Sequence, residues 1–167
     1  MKHLWAPWRM PYIEADRPGT PCLFCEQLSR PDGPDNLILH RGARAFVILN
    51  RFPYNNGHMM VVPNAHQASL EGLEGPDQAE LMALSGQAIT VLRKVYGADS
   101  FNLGINIGES AGAGIVDHVH VHVLPRWAGD TSFMATTAQS RVIPEALDTT
   151  YQRLRSAWEE FASGARA

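Results

Sequence analysis

The sequence predicts an α+β fold built on an antiparallel sheet. Three observations carry this expectation: apolar runs of strand length, turn-length connections between them, and the order strand, strand, helix, strand, strand, helix. With 167 residues, the chain has the size of one domain with terminal extensions. An apolar share of 45% and a charged share of 19% exclude a disordered, collagenous or coiled-coil chain, and a core of this size needs no covalent staple.

In chain order, residues 1–20 mix Trp5, Trp8 and Tyr12 with Pro7, Pro11 and Pro18. This is too Pro-rich for a helix and too aromatic for a disordered tail. An ordered arm is expected, with Trp5 and Trp8 at an interface rather than on substrate. The main domain then runs over 21–130, and 131–167 form an extension that includes the last helix. Residues 26–36, with Pro31, Gly33 and Pro34, read as a loop. Ala45 to Leu49 is a buried strand, Asn50 to Gly57 turns, and His58 to Pro63 returns as a second strand. Pro76 and Asp77 open a helix whose Leu81, Leu84, Ala88, Val91, Leu92 and Val95 follow helical spacing, and Gly97 stops it. Phe101 to Ile107 and His118 to Leu124 are strands on either side of the glycine-rich stretch 108–114. Pro144 begins a final amphipathic helix with Leu147, Tyr151, Leu154, Trp158 and Phe161 on one face, fraying from Ser163.

A net charge of −3 and the lack of a basic stripe speak against a duplex-binding protein. No apolar run approaches the roughly eighteen residues of a membrane span, and the N-terminus lacks the apolar region of a signal peptide. A cytoplasmic protein with no membrane or nucleic-acid partner is therefore expected. The two cysteines, Cys22 and Cys25, stand in a Cys-x-x-Cys, which is half of a metal site or a redox pair. A redox pair expects a strand before it. Here the preceding Arg17-Pro18-Gly19-Thr20-Pro21 reads as loop, which favours metal if two further ligands exist.

The chemistry concentrates in Asp117-His118-Val119-His120-Val121-His122-Val123-Leu124. Along a strand, side chains alternate faces, so His118, His120 and His122 share one face about 6.5–7 Å apart, with the valines on the other. Burying three imidazoles on one face is costly without a function for them. Metal binding and nucleophilic or proton-transfer chemistry both use such a row. Upstream, Gly112, Ala113 and Gly114 are able to expose consecutive backbone N–H groups to an anion such as a phosphate. An imidazole held at one ring nitrogen by a backbone carbonyl keeps the other lone pair free for attack on phosphorus.

The row resembles the His-φ-His-φ-His-φ-φ motif of the histidine triad (HIT) superfamily of nucleotide hydrolases and transferases. Leu49-Asn50-Arg51-Phe52-Pro53 through Gly57-His58-Met59-Met60-Val61-Val62-Pro63 is similar to the strand–turn–strand of that family, with an Asn eight residues before a histidine. Phe101 to Gly108 resembles the strand carrying the phosphate-binding Asn. The flanking Leu4-Trp5-Ala6-Pro7-Trp8-Arg9 and Pro125-Arg126-Trp127-Ala128-Gly129-Asp130 resemble the bacterial branch that includes diadenosine tetraphosphate phosphorylases.

This resemblance implies a HIT-like antiparallel sheet and a nucleotidyl-transfer enzyme that cleaves dinucleoside polyphosphates through a covalent nucleotidyl-histidine, with phosphate as acceptor. The alternatives are hydrolysis of such substrates or of nucleoside phosphoramidates, and nucleotide binding without catalysis. His120 would be the nucleophile, while His122 and His58 would orient it and contact the phosphate. Asn50 would hold the ribose hydroxyls and Asn106 a phosphate oxygen. The Gln common four residues before the first triad histidine is here Gly114, which leaves the loop from Gly112 through Ala113 to Gly114 to contact phosphate through its backbone. The resemblance also implies a structural zinc on Cys22, Cys25, His66 and His118, no organic cofactor, and a homodimer. His3 and His40 read as exposed and uninformative.

Overall fold

The computed structural model describes residues 21–130 and 145–164. The arm expected over 1–20 and the stretch 131–144, with Pro144, lie outside the described residues. Five strands form one antiparallel sheet: β1 Ile38–Arg41, β2 Ala45–Leu49, β3 Met59–Pro63, β4 Ser100–Ile105 and β5 Val121–Arg126. Their order across the sheet is β1-β2-β3-β5-β4, which makes β5 internal and β4 an edge. Among the described residues, three α-helices accompany them: α1 Leu23–Ser29, α2 Gly75–Tyr96 and α3 Leu147–Gly164. The α+β antiparallel architecture is therefore the one predicted.

β2 and β3 pair over five positions, from Ala45 opposite Pro63 to Leu49 opposite Met59. Both are fully buried, which explains why they read as continuous apolar runs rather than alternating ones. Gly57 closes the turn between them at φ 70°, where a Cβ would lie 2.8 Å from the Leu92 side chain. α2 begins with Pro76 in its first turn, and its N-terminus is tied by the Glu74 N–H to the Asp77 carboxylate at 3.3 Å. It buries Leu81, Leu84, Ala88, Val91 and Leu92 and ends at Gly97 in the left-handed conformation, φ 58°. α3 buries Tyr151, Leu154 and Trp158 as its periodicity requires, and runs on through Ser163 to Gly164 instead of fraying there.

Three elements depart from the sequence reading. Part of the loop expected over 26–36 belongs to α1, a seven-residue helix that buries Phe24 and Gln27. A fifth strand, β1, precedes the expected pair and joins β2 through an irregular register between Ile38 and His40. It draws His40 inward, half-buried and stacked on Trp158 with ring centroids 5.3 Å apart. The ladder of β5 starts at Val121 opposite Val61, later than expected, because the Val119 N–H donates to the Gln67 carbonyl at 2.7 Å. His118 and His120 thus sit on an extended lead-in held against the segment that follows β3. No described helix is long and apolar enough to cross a membrane.

Candidate active site and metal centre

The alternation predicted for residues 118–123 holds through the lead-in and into β5. Val119, Val121 and Val123 enter the core, and the imidazoles gather on the other side, with the His120 and His122 ring centroids 4.8 Å apart. All three histidines are buried, as is His58 at the start of the β3 return. Phe24 of α1 meets both His118 and His120 edge-on, at 5.4 and 5.1 Å between centroids. It carries no signal in the sequence, since a Phe inside a Cys-x-x-Cys has no spacing that ties it to a row ninety-odd residues later.

Each ring has defined partners. His120 Nδ1 lies 2.9 Å from the His118 carbonyl, and a carbonyl only accepts, so the proton is on Nδ1 and the Nε2 lone pair is bare. His118 Nε2 donates in the same way to the Pro63 carbonyl at 2.9 Å, leaving its Nδ1 lone pair exposed to the cysteines. His58 Nε2 lies 2.9 Å from His122 Nδ1, and the His58 Nδ1 lies 3.2 Å from both Asn50 Nδ2 and the Tyr54 N–H. Burial pushes every one of these rings toward the neutral form. It takes His58, with help from His122 and His120, down to about 3, and His122, with help from His120, down to about 4. His120 and His118 are lowered by burial against the opposing pull of their carbonyl partners. The row is thus a set of neutral imidazoles, the form in which nitrogen is nucleophilic.

Asn50, expected on the ribose, has its amide engaged at both ends: Oδ1 accepts the Phe52 N–H at 2.9 Å and Nδ2 donates to His58. Asn106 faces the glycine loop, with Nδ2 3.4 Å from the Gly112 carbonyl. The loop itself corrects the expectation of three consecutive outward amides. It closes as a short 3-10 turn over Glu109–Ala111, and the Gly112 N–H donates to the Glu109 carbonyl at 2.8 Å and the Ala113 N–H to the Gly108 carbonyl at 3.4 Å. Gly112 adopts φ 82°, which a side chain disfavours. Of the three, the Gly114 N–H has no backbone partner among the described residues. Tyr54, exposed in the turn between β2 and β3, tilts over His58 at 4.6 Å between centroids.

Cys22, Cys25, His66 and His118 do come together, with one ligand atom from each within 4.8 Å of the others. Cys22 Sγ lies 3.3 Å from His118 Nδ1, and Cys25 Sγ lies 3.4 Å from His66 Nδ1 and 3.7 Å from His118 Nδ1. Bonds of about 2.0–2.3 Å in a tetrahedron place ligand atoms about 3.3–3.8 Å apart, so the three Cys–His contacts match a four-coordinate metal, and the other pairs lie within 4.8 Å. Burial and the neighbouring Cys22 push the Cys25 thiol up, a shift that a bound cation would reverse.

A family model described as the HIT domain matches residues 31–129. The AP-4-A phosphorylase of Mycobacterium tuberculosis is 39% identical over 168 residues, covering 95% of this chain and 85% of that protein. Among solved structures, a zinc-bound histidine triad family protein from Mycobacterium smegmatis superposes with a TM-score of 0.69 at 28% identity, covering 86% of this chain and 96% of the other. A histidine triad nucleotide-binding protein from Sulfolobus tokodaii gives 0.68 at 26% identity, covering 84% and 93%.

Proposed function

The chain belongs to the HIT domain family, and from that premise we propose that it is a nucleotidyl-transfer enzyme acting on dinucleoside polyphosphates such as diadenosine tetraphosphate, with inorganic phosphate as acceptor. The observation that carries this reading is the His120 ring: neutral, held through Nδ1–H by the His118 carbonyl at 2.9 Å, with Nε2 bare. The bare Nε2 attacks the α-phosphorus, the P–N bond forms, and the bridging P–O bond breaks so that the polyphosphate leaves as ATP. An oxygen of phosphate then attacks the same phosphorus, the P–N bond breaks, and ADP departs as His120 recovers its lone pair. His122 and His58 flank the reacting group, and Asn106 with the Gly114 N–H provides donors for its oxygens. Similarity to a mycobacterial AP-4-A phosphorylase over nearly the whole chain supports phosphate as acceptor.

Cys22, Cys25, His66 and His118 would hold a zinc ion. Four protein ligands leave no open position, so the zinc would supply a fixed anchor for the segment bearing His120 and take no part in the transfer. The zinc-bound relative supports the choice of metal. A homodimer is supported by β4, an edge strand whose Leu103 is 41% exposed, followed by Ile107 at 42%. A cytoplasmic site of action goes with a nucleotide substrate.

The test is to incubate pure protein with diadenosine tetraphosphate with and without inorganic phosphate and to identify the products. ADP plus ATP, formed only with phosphate, is the expected result. AMP plus ATP at equal rates in both samples would assign hydrolysis instead.

A further inference from the structure

The hydrogen bonds around His58 run in one direction, and their polarity can be followed atom by atom. The Phe52 backbone N–H, which can only donate, points at Asn50 Oδ1 at 2.9 Å. This orients the amide so that its NH2 faces His58 Nδ1 at 3.2 Å. The Tyr54 backbone N–H reaches the same nitrogen, also at 3.2 Å. Two donors converge on His58 Nδ1, which must therefore be a bare acceptor. The proton of the neutral ring then sits on Nε2, 2.9 Å from His122 Nδ1. His122 Nδ1 is thereby an acceptor in turn, and its Nε2 becomes the only N–H of that ring. His122 itself packs on His120, with 4.8 Å between ring centroids.

We propose that Asn50 is a positioning residue which, through His58, fixes His122 as a neutral Nε2–H donor to the phosphoryl group that His120 attacks. The relay begins at a backbone amide of the β2–β3 turn and ends one ring from the nucleophile. It needs no charge on any member, which suits a buried row where a cation would be costly. It also assigns to Asn50 an action on the chemical step, since one N–H of its amide faces His58 while its oxygen accepts the Phe52 N–H. The inference rests on the nucleotidyl-transfer reading, but its first readout does not involve substrate.

Full-length protein labelled with nitrogen-15 in its histidines gives the tautomer of each ring by long-range proton–nitrogen correlation near neutral pH. In the wild type, His58 and His122 are both expected as Nε2–H with bare Nδ1; His122 found as the Nδ1–H form overturns the relay. Asn50→Asp places an acceptor where the donor was. The expected result is a proton on His58 Nδ1, loss of the Nε2–H form at His122, and a fall in kcat of about 100-fold or more with KM within a few-fold. Unchanged spectra in that variant, or a loss confined to KM as a ribose contact would give, overturn the proposal. If Asn50→Asp does not fold, Asn50→Ala serves: with the Tyr54 N–H alone, His58 and His122 are expected as mixtures of tautomers, and a wild-type spectrum overturns the claim. A wild-type protein that turns over no dinucleoside polyphosphate but keeps the predicted spectrum would refute the function and leave the relay standing.

Discussion

The imidazole of His120, the proposed nucleophile, has its tautomer fixed by a carbonyl two residues earlier in its own segment. The alternation of His and Val made the shared face legible, because a period of two needs only an extended backbone. The partners of each ring were not legible. The Pro63 and Gln67 carbonyls reach their donors only once the end of β3 and the segment after it lie against the 118–120 lead-in, and the His118 carbonyl turns to His120 through local backbone geometry that the residue pattern does not encode. Burial of these rings sets how the site responds to acid. His58 is held down at about 3 and His122 at about 4, both below the ordinary 6.5 of a free imidazole. A depressed histidine favours proton uptake by the unfolded chain, so stability is highest above pH 6.5 and falls as the pH drops from there toward these values. For His58 the slope approaches about 1.4 kcal/mol per pH unit. Imidazole signals followed by NMR should show His58 and His122 still neutral at pH 5.5, with the thermal midpoint already falling. Titration of either ring near 6.5 would contradict the burial-driven shift.

At the scale of elements, α1 joins the two sites. It carries Cys25 toward His66 and packs Phe24 against His118 and His120, so the proposed metal ligands and the proposed nucleophile share one small helix as a wall. Its absence from the sequence reading has a physical cause: seven residues span about two turns, too few for periodicity to register, and the Cys22 side chain at its N-cap makes no capping bond. Burial of Phe24 and Gln27, rather than propensity, holds it in place. β1 escaped for a related reason, having four residues and an irregular register. The longer α2 and α3 carry several turns of apolar spacing and were readable throughout the described residues. The consequence is a stability test. Elemental analysis should find about one zinc per chain, and Cys22→Ser or a strong chelator should lower the melting temperature. Removing the metal should cost several kcal/mol, since binding energy at a site assembled by folding is folding energy. Metal-free protein with an unchanged melting temperature would leave Cys22 and Cys25 as a packing or redox pair.

For the whole molecule, the sheet order places β5 between β3 and β4, so the row leads into an internal strand, with His58 delivered from the neighbouring β3 side. The fold class was readable, because short strands and tight turns leave few antiparallel arrangements, whereas the grouping of Cys22, Cys25, His66 and His118 was expected only through the family resemblance. The glycine loop was not, since a run of glycines gives no indication of which amides turn inward. The outer edge of β4, with Leu103 and Ile107 exposed, predicts association through that edge. Sedimentation at micromolar concentration should give a dimer, and Leu103→Lys should shift it toward monomer; a monomeric wild type contradicts the assignment. The central claim is a covalent intermediate on His120, and trapping it is the most direct measurement. Protein mixed with diadenosine tetraphosphate in the absence of phosphate, then denatured quickly and mapped by mass spectrometry, should carry one adenylyl group on the peptide containing His120. His120→Ala should carry none and should lose turnover by about 1,000-fold or more. An adenylyl group on another residue, or a His120→Ala variant that keeps a tenth of wild-type activity, would contradict the account.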